Sequence, residues 1–339
     1  MMNLKHIVLT DPALNGFEYG VLRDFEEEII RITSGHPLVM PKRKLPTFIE
    51  GRIGHGTRYA NFRKFIPKIE CDLKADVLWV ILMGPENFPL DLFKNWDRNV
   101  GVKILYIFDT FEKQLPSIRR VLQSVKWDLA ITSFHGALPF LEEQTQHKWY
   151  AVPQGVKLDR FKPVTKEEKL ISFSAYGRRL QNVHNSIKEY CLQTDKYYEY
   201  TTTTALQPQL DPRESYRQYA WHLAHSFFTF SWPVELTNPK RVLTFSPMTC
   251  RWFEAAASGT VILGQPPKEP EFEKIFGSDL VIPIDYTQSQ EHLKLILEEL
   301  WENRYIYLQS SLKNRERLAQ NWSWESRVWE ILKLINFPA

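Results

Sequence analysis

A chain of 339 residues with 43% hydrophobic and 14% aromatic side chains can build two folded domains, each with its own core, which excludes a disordered protein. Its net charge of +3 suits phosphorylated substrates or an anionic membrane surface and is too small to argue for nucleic acid. The three cysteines, Cys71, Cys191 and Cys250, lack metal-type spacing and offer no disulfide framework, so a reducing compartment is expected.

The N-terminus carries no apolar signal core. Ala75 to Met83 is the longest apolar run, well short of the roughly 20 residues that span a bilayer. A cytoplasmic protein is expected. The first half alternates strand and helix patterns, which predicts an α/β domain with a mostly parallel sheet. His6 to Thr10 reads as a first strand and 11–17 as the loop after it, and Leu22, Phe25, Ile29 and Ile32 share one face of the helix that follows. Loops at the carboxyl ends of such strands are where open α/β sheets bind ligands. Asn15 and Gly16 are therefore candidate ligand contacts.

From Pro37 to Tyr59 the periodicity fades. The run Pro41-Lys-Arg-Lys44 is a solvated loop or a contact for an anionic acceptor or the inner face of a membrane, where the protein would sit peripherally. In Gly51-Arg-Ile-Gly-His-Gly-Thr-Arg58 the glycines around His55 could bring backbone close to a sugar.

Ala75 to Met83 reads as a strand buried on both faces. Val102 to Phe108 is another, ending at Asp109. Ser117 to Val125 is a helix, and the strand Asp128 to Ser133 leads to His135. Asp109 and His135 thus fall just beyond strand ends, where a carboxylate or imidazole can orient a hydroxyl or accept its proton. The competing readings are a helix cap for Asp109 and a solvated loop for His135.

Trp149 to Pro163 reads as a strand and then an extended linker, with Gly155 permitting a turn. Leu170 to Ser174 opens a second strand-helix alternation, continued by Tyr197 to Thr203, a helix from Glu214 to His225, and Phe227 to Ser231. Residues 231–241 read as a loop. Pro247 to Gly264 is then a helix stopped at Gly259, where a turn needs positive φ, and a buried strand from Thr260. Glu254 lies between Phe253 and three alanines, either as one solvated glutamate of an amphipathic helix or as a carboxylate turned toward a ligand. Leu280 to Pro283 is a last strand. Leu293, Ile296, Leu297 and Leu300 form one helical stripe, and Val328, Ile331, Leu332 and Ile335 another.

Arg251-Trp-Phe-Glu-Ala-Ala-Ala-Ser-Gly-Thr-Val-Ile-Leu263 resembles the donor-site motif of GT-B glycosyltransferases of the group-1 type, in a divergent, spore-maturation-like branch. In that family the glutamate at the position of Glu254 binds the ribose hydroxyls of a nucleotide sugar. Trp149 to Pro163 is similar to the segment that joins the family's two domains. Gly177-Arg-Arg-Leu180 is similar to its diphosphate-binding segment, which implies that Arg178 and Arg179 neutralise the leaving diphosphate. His184 stands where the family has a lysine, its imidazolium form favoured beside a diphosphate, with Lys188 as an alternative partner. Ser246 stands eight positions before Glu254, where the family often has a sugar-contacting glutamate, and Thr249 and Arg251 are candidates to replace those contacts. Phe108 occupies a position at which related enzymes often carry histidine.

The resemblance implies a GT-B fold, two Rossmann-like α/β domains facing a cleft, with a C-terminal helix crossing back onto the first domain. The domains would be 1–163, joined by 324–339, for the acceptor, and 164–323 for the nucleotide sugar. It implies transfer of a sugar to a glycan, lipid or small-molecule hydroxyl, with retained configuration. The chain has no Asp-x-Asp motif, so metal-independent transfer is expected. No resident cofactor and no nucleic acid partner are expected. Alternatives are a GT-B-like binding protein without catalysis, and a sugar phosphorylase or epimerase on the same architecture.

Overall fold

The structure, a computed structural model, describes residues 4–10, 19–38, 68–201, 212–239 and 244–336. The chain divides into two compact units: Met1–Asn15, Val21–Pro153 and Val328–Ala339 form one, and Gly16–Gly20 with Gln154–Arg327 the other.

In the first unit the strands are β1 (His6–Thr10), β2 (His36–Pro37), β3 (Ile69–Glu70), β4 (Lys74–Leu82), β5 (Phe93–Lys94), β6 (Asn99–Ile107), β7 (Leu129–Thr132) and β8 (Trp149–Ala151). Six of them form a sheet of order β2-β1-β4-β6-β7-β8, while β3 and β5 pair separately. Every pairing in the six-stranded sheet is parallel. β4 is buried along Val77 to Leu82, as its unbroken apolar run requires when both faces are covered. Helix α1 (Gly20–Thr33) presses Phe25 edge-on against Tyr106 and Phe108. Burying that one phenylalanine stabilises the unit by about 2 kcal/mol. α2 (Leu115–Ser124) and α3 (Leu138–Thr145) connect the later strands.

The second unit contains β9 (Ile171–Ala175), β10 (Tyr198–Tyr200), β11 (Ser226–Ser231), β12 (Val261–Gly264) and β13 (Val281–Pro283), all parallel, in the order β10-β9-β11-β12-β13. Its helices are α4 (Gln181–Gln193), α5 (Pro212–Ala224), α6 (Val234–Thr237), α7 (Cys250–Ala257), α8 (Pro270–Phe276), α9 (Gln290–Glu302) and α10 (Arg304–Asn321). Val183 and Ile187 of α4 share a core with Phe173, Phe228 and Leu263 of the sheet and Leu293, Leu297 and Leu300 of α9. The last helix, α11 (Trp324–Leu334), buries Val328, Ile331 and Leu332.

Three differences from the sequence reading have physical causes. Residues 231–241 are not loop throughout, because α6 forms one turn directly behind Pro233. α10 escapes the pattern because its buried face carries Ser311 and Asn314 between Leu308 and Leu318, so polar residues interrupt the apolar stripe. The division at Pro153/Gln154 lies ten residues ahead of the position read from sequence. Val156 already belongs to the second unit's backbone: its N–H donates to Trp322 O, and its carbonyl accepts from the Trp324 N–H. No helix among the described residues is long and apolar enough to cross a membrane.

Candidate functional site

The order of the second sheet decides where a ligand would sit. The chain leaves β9 for β10 on one side and then returns past β9 to place β11 on the other. Loops after β9 and β11 therefore diverge, and the crevice at such a switch point is where open α/β sheets hold ligands. α7 leads into the parallel strand β12, so its N-terminus lies at the same carboxyl edge.

The loop after β9 is built around Gly177, whose φ of +76° only glycine adopts without strain. Its N–H donates to Thr201 Oγ1 at 2.8 Å, and Arg179 Nη1 donates to Thr201 O at 2.5 Å. The Arg179 guanidinium also lies 4.9 Å from the Tyr200 ring centroid, a cation–π contact. From α7, Arg251 Nη1 donates to the carbonyls of Tyr176 at 3.3 Å and Arg178 at 3.4 Å. The Arg179 and Arg251 guanidinium groups are thus gathered around one glycine turn, and Arg178, half-buried like them, adjoins the glycine and lends its carbonyl to Arg251. Thr249 is the N-cap of α7 but its hydroxyl makes no capping bond, so no side chain at that position competes with an anion for the first amides.

Glu254 corrects the expectation of a glutamate on the solvent side. It is 2% exposed. Tyr216 donates to its Oε1 at 2.5 Å and Tyr219 to its Oε2 at 3.0 Å. Burial raises its pKa, and the two phenols and Arg251 pull the other way. The same burial, with the carboxylate beside it, pushes the Tyr219 hydroxyl well up. Tyr216 and Tyr219 lie one turn apart on α5, and nothing in their own spacing revealed a buried partner.

His184 departs from the imidazolium expectation. It is buried on α4, with Nδ1 2.9 Å from the Tyr198 hydroxyl and its ring edge-on to Tyr200. Burial, then the charges of Arg179 and Lys188, lower its pKa to about 4. It is neutral at ordinary pH, and it braces the tyrosines that flank Arg179. Lys188 is exposed on the same helix.

Ser246 is buried and donates to Glu235 Oε1 at 2.5 Å. Glu235, on α6, was not singled out from sequence because 231–241 read as a loop.

In the first unit, Asp109 and His135 follow the neighbouring strands β6 and β7. Asp109 is half-buried, with its N–H donating to Met83 O at 2.7 Å, and His135 is exposed in a turn of 3₁₀ helix. The cap position of the turn after β6 is Phe111, not Asp109. Between the two strand ends, the Thr110 and Thr132 hydroxyls are 2.7 Å apart and Ser133 donates to Phe108 O at 2.6 Å. Asn15, Gly16, His55 and the basic run 41–44 lie outside the described residues.

With this geometry the chain can be compared with known proteins. No protein-family model matches it, and no curated protein does. Solved structures match over nearly the whole length. Sucrose-phosphate synthase from Thermosynechococcus elongatus aligns at a TM-score of 0.59 and 11% identity, covering 98% of each chain. Anabaena HepE, solved in complex with UDP-glucose, aligns at 0.53 and 9%, covering 98% of this chain and 99% of its own. A glycosyltransferase from Rickettsia africae aligns at 0.52 and 11%, covering 98% of each chain. The fold is that of GT-B glycosyltransferases. At these identities the likeness concerns the fold alone.

Proposed function

We propose that the chain is a glycosyltransferase that moves a sugar from a nucleotide-sugar donor to an acceptor hydroxyl, with retention of configuration and without a metal. The observation that carries this reading is the convergence of Arg179 and Arg251 on the Gly177 turn, with Arg178 next to the glycine in sequence, at the switch point of a parallel sheet and beside a helix N-terminus. Forked guanidinium donors and the amides of a helix N-terminus stabilise the charge that grows on a departing diphosphate. The fold likeness to HepE, solved with UDP-glucose, supports a nucleotide sugar as the occupant. In this reading Glu254 serves the ribose, directly or through the two phenols that hold it, and Thr249 and Ser246 line the donor side. Asp109 and His135 act on the hydroxyl of the acceptor, a glycan, lipid or small molecule. A group-1, spore-maturation-like affiliation, cytoplasmic location and a role in glycan biosynthesis belong to the same proposal.

One observation favours a second reading. Ser246 and His184 stand where the resemblance has a glutamate and a lysine, and both are bonded within the fold, Ser246 to Glu235 and His184 to Tyr198, as expected if the second unit binds a nucleotide without transferring sugar. The test is a panel of nucleotide sugars, read by thermal stabilisation and by release of nucleoside diphosphate, with and without excess chelator. Stabilisation with release in chelator is the result expected. Stabilisation without release selects the binding protein, release that needs a divalent ion removes the metal-independent step, and no stabilisation by any donor removes the donor site.

A further inference from the structure

Glu235 sits one turn beyond the carboxyl end of β11, on the short helix α6. Its two oxygens have different surroundings. Oε1 accepts the Ser246 hydroxyl at 2.5 Å, while Oε2 is shut off from water and has no hydrogen-bond partner among the described residues. A carboxylate oxygen left this way costs part of its hydration without return, and native folds keep few such groups. Ser246 is itself buried, and its single proton is committed to Glu235. The pair is therefore an oriented acceptor, one oxygen pinned and the other in want of a donor.

The chemistry of the missing donor follows from charge. A carboxylate only accepts hydrogen bonds, and a phosphate beside it would be repelled. The cations that suit a diphosphate stand instead around the Gly177 turn after β9, the strand next to β11 in the sheet. The loop after β9 thus carries positive charge and the turn after β11 a carboxylate, one on each side of the switch point. A neutral polyhydroxyl group linked to a diphosphate matches that division. We propose that Glu235, held by Ser246, accepts a hydrogen bond from a hydroxyl of the donor's sugar ring and so takes part in choosing the sugar. The carboxylate comes from 11 residues upstream of Ser246, on a separate element. This proposal rests on the donor site argued above.

The test compares matched ligands, UDP-glucose against UDP and GDP-mannose against GDP, by calorimetric titration of the wild type, Glu235→Gln and Ser246→Ala. The expected result is that Glu235→Gln weakens the nucleotide sugar by about tenfold, the size of a lost charge-assisted bond, and leaves the matched nucleoside diphosphate unchanged. Ser246→Ala, which frees the carboxylate to turn, should show a smaller loss of the same kind. Equal weakening of sugar and diphosphate ligands, no weakening of either, or a melting temperature that falls in Glu235→Gln without ligand would make the residue structural and overturn the proposal. A wild type that binds neither pair would remove the donor site itself, whereas one that binds UDP or GDP but gains no contact from the sugar would overturn the Glu235 assignment alone.

Discussion

The Arg251 guanidinium lies flat against Gly177: a Cβ added at that glycine would stand 3.3 to 3.6 Å from three of its atoms. The turn after β9 and the first turn of α7 are thereby packed into one body, with φ of +76° at the glycine. Gly177→Ala adds a side chain in a left-handed conformation, which costs about 1–2 kcal/mol, and nudges the guanidinium from its two carbonyls. Chemical denaturation should show a loss of that size, and nucleoside diphosphate affinity should fall several-fold. Unchanged affinity in a folded Gly177→Ala would separate this turn from the ligand.

A lysine at position 184 is not the conservative change that the family pattern implies. His184 faces Tyr198 and Tyr200, with Arg179 and Lys188 adding positive charge nearby, and its pKa lies at about 4 against an ordinary 6.5. The unfolded chain then binds the extra proton between those values, so stability contributed at neutral pH is lost as pH falls from about 6.5 toward 4. His184→Gln, which can still bond the Tyr198 hydroxyl, should flatten that acid limb in urea titrations. His184→Lys should lower the melting temperature at pH 7. Donor affinity between pH 5.5 and 8 should carry no titration from His184, and an imidazole resonance shifting in that range would contradict the assignment.

The elements were legible wherever burial imposes a pattern on the chain. β4, β6 and β11 are read from apolar runs because both faces of a parallel sheet are covered, and the stop of α7 is read from Gly259, which does take φ of +62°. The candidate site was legible only where a residue's role is local. Gly177, Arg178 and Arg179 are neighbours in sequence, and Arg251 stands in the one stretch, 251–263, whose residue pattern is read as a unit. Glu254 and His184 are single residues whose surroundings come from other elements, α5 and β10, and no local pattern tells a buried carboxylate with two phenols from one facing water. Glu235 was hidden for a third reason: its partner Ser246 is a serine that sequence reading marks as a missing glutamate, while the carboxylate itself arrives from another element.

Lys169 makes the stability of the second unit depend on pH above neutrality. Its Nζ is buried between the start of β11 and the end of α7, donating to Ser226 O at 2.8 Å and Gly259 O at 3.5 Å. Burial lowers its pKa from 10.5 to about 7. Between those values the unfolded chain holds the proton and the folded chain has shed it, so stability rises with pH over that window, by at most about 1.4 kcal/mol per pH unit. Lys169→Met should remove this rise in denaturation midpoints measured from pH 7 to 10. A wild type and mutant that run parallel across the range would show that the ammonium stays charged in the fold.

Burial of Glu254 changes what a substitution there should do. A glutamate facing solvent could be replaced without harm to the fold, but this one satisfies Tyr216 and Tyr219 at once. Glu254→Ala strands both phenols in the core, and an unsatisfied buried group costs about 1–3 kcal/mol, so a loss of roughly 2–5 kcal/mol is expected in denaturation. Glu254→Gln keeps one acceptor, and its amide can donate to the other phenol, so it should fold with a loss nearer 1 kcal/mol. The pH profile tells the two forms of the wild-type carboxyl apart. Its folded pKa is raised above the ordinary 4.5, so the folded state binds the proton more readily, and the stabilisation present below about pH 4.5 is lost as pH rises through the raised value. Glu254→Gln should lack that decline. If a nucleoside diphosphate also binds Glu254→Gln at least tenfold more weakly, while Tyr219→Phe binds it as the wild type does, the carboxylate meets the ribose itself. If both variants weaken together, the phenols and the carboxylate act as one unit, and the ribose is read through the tyrosines.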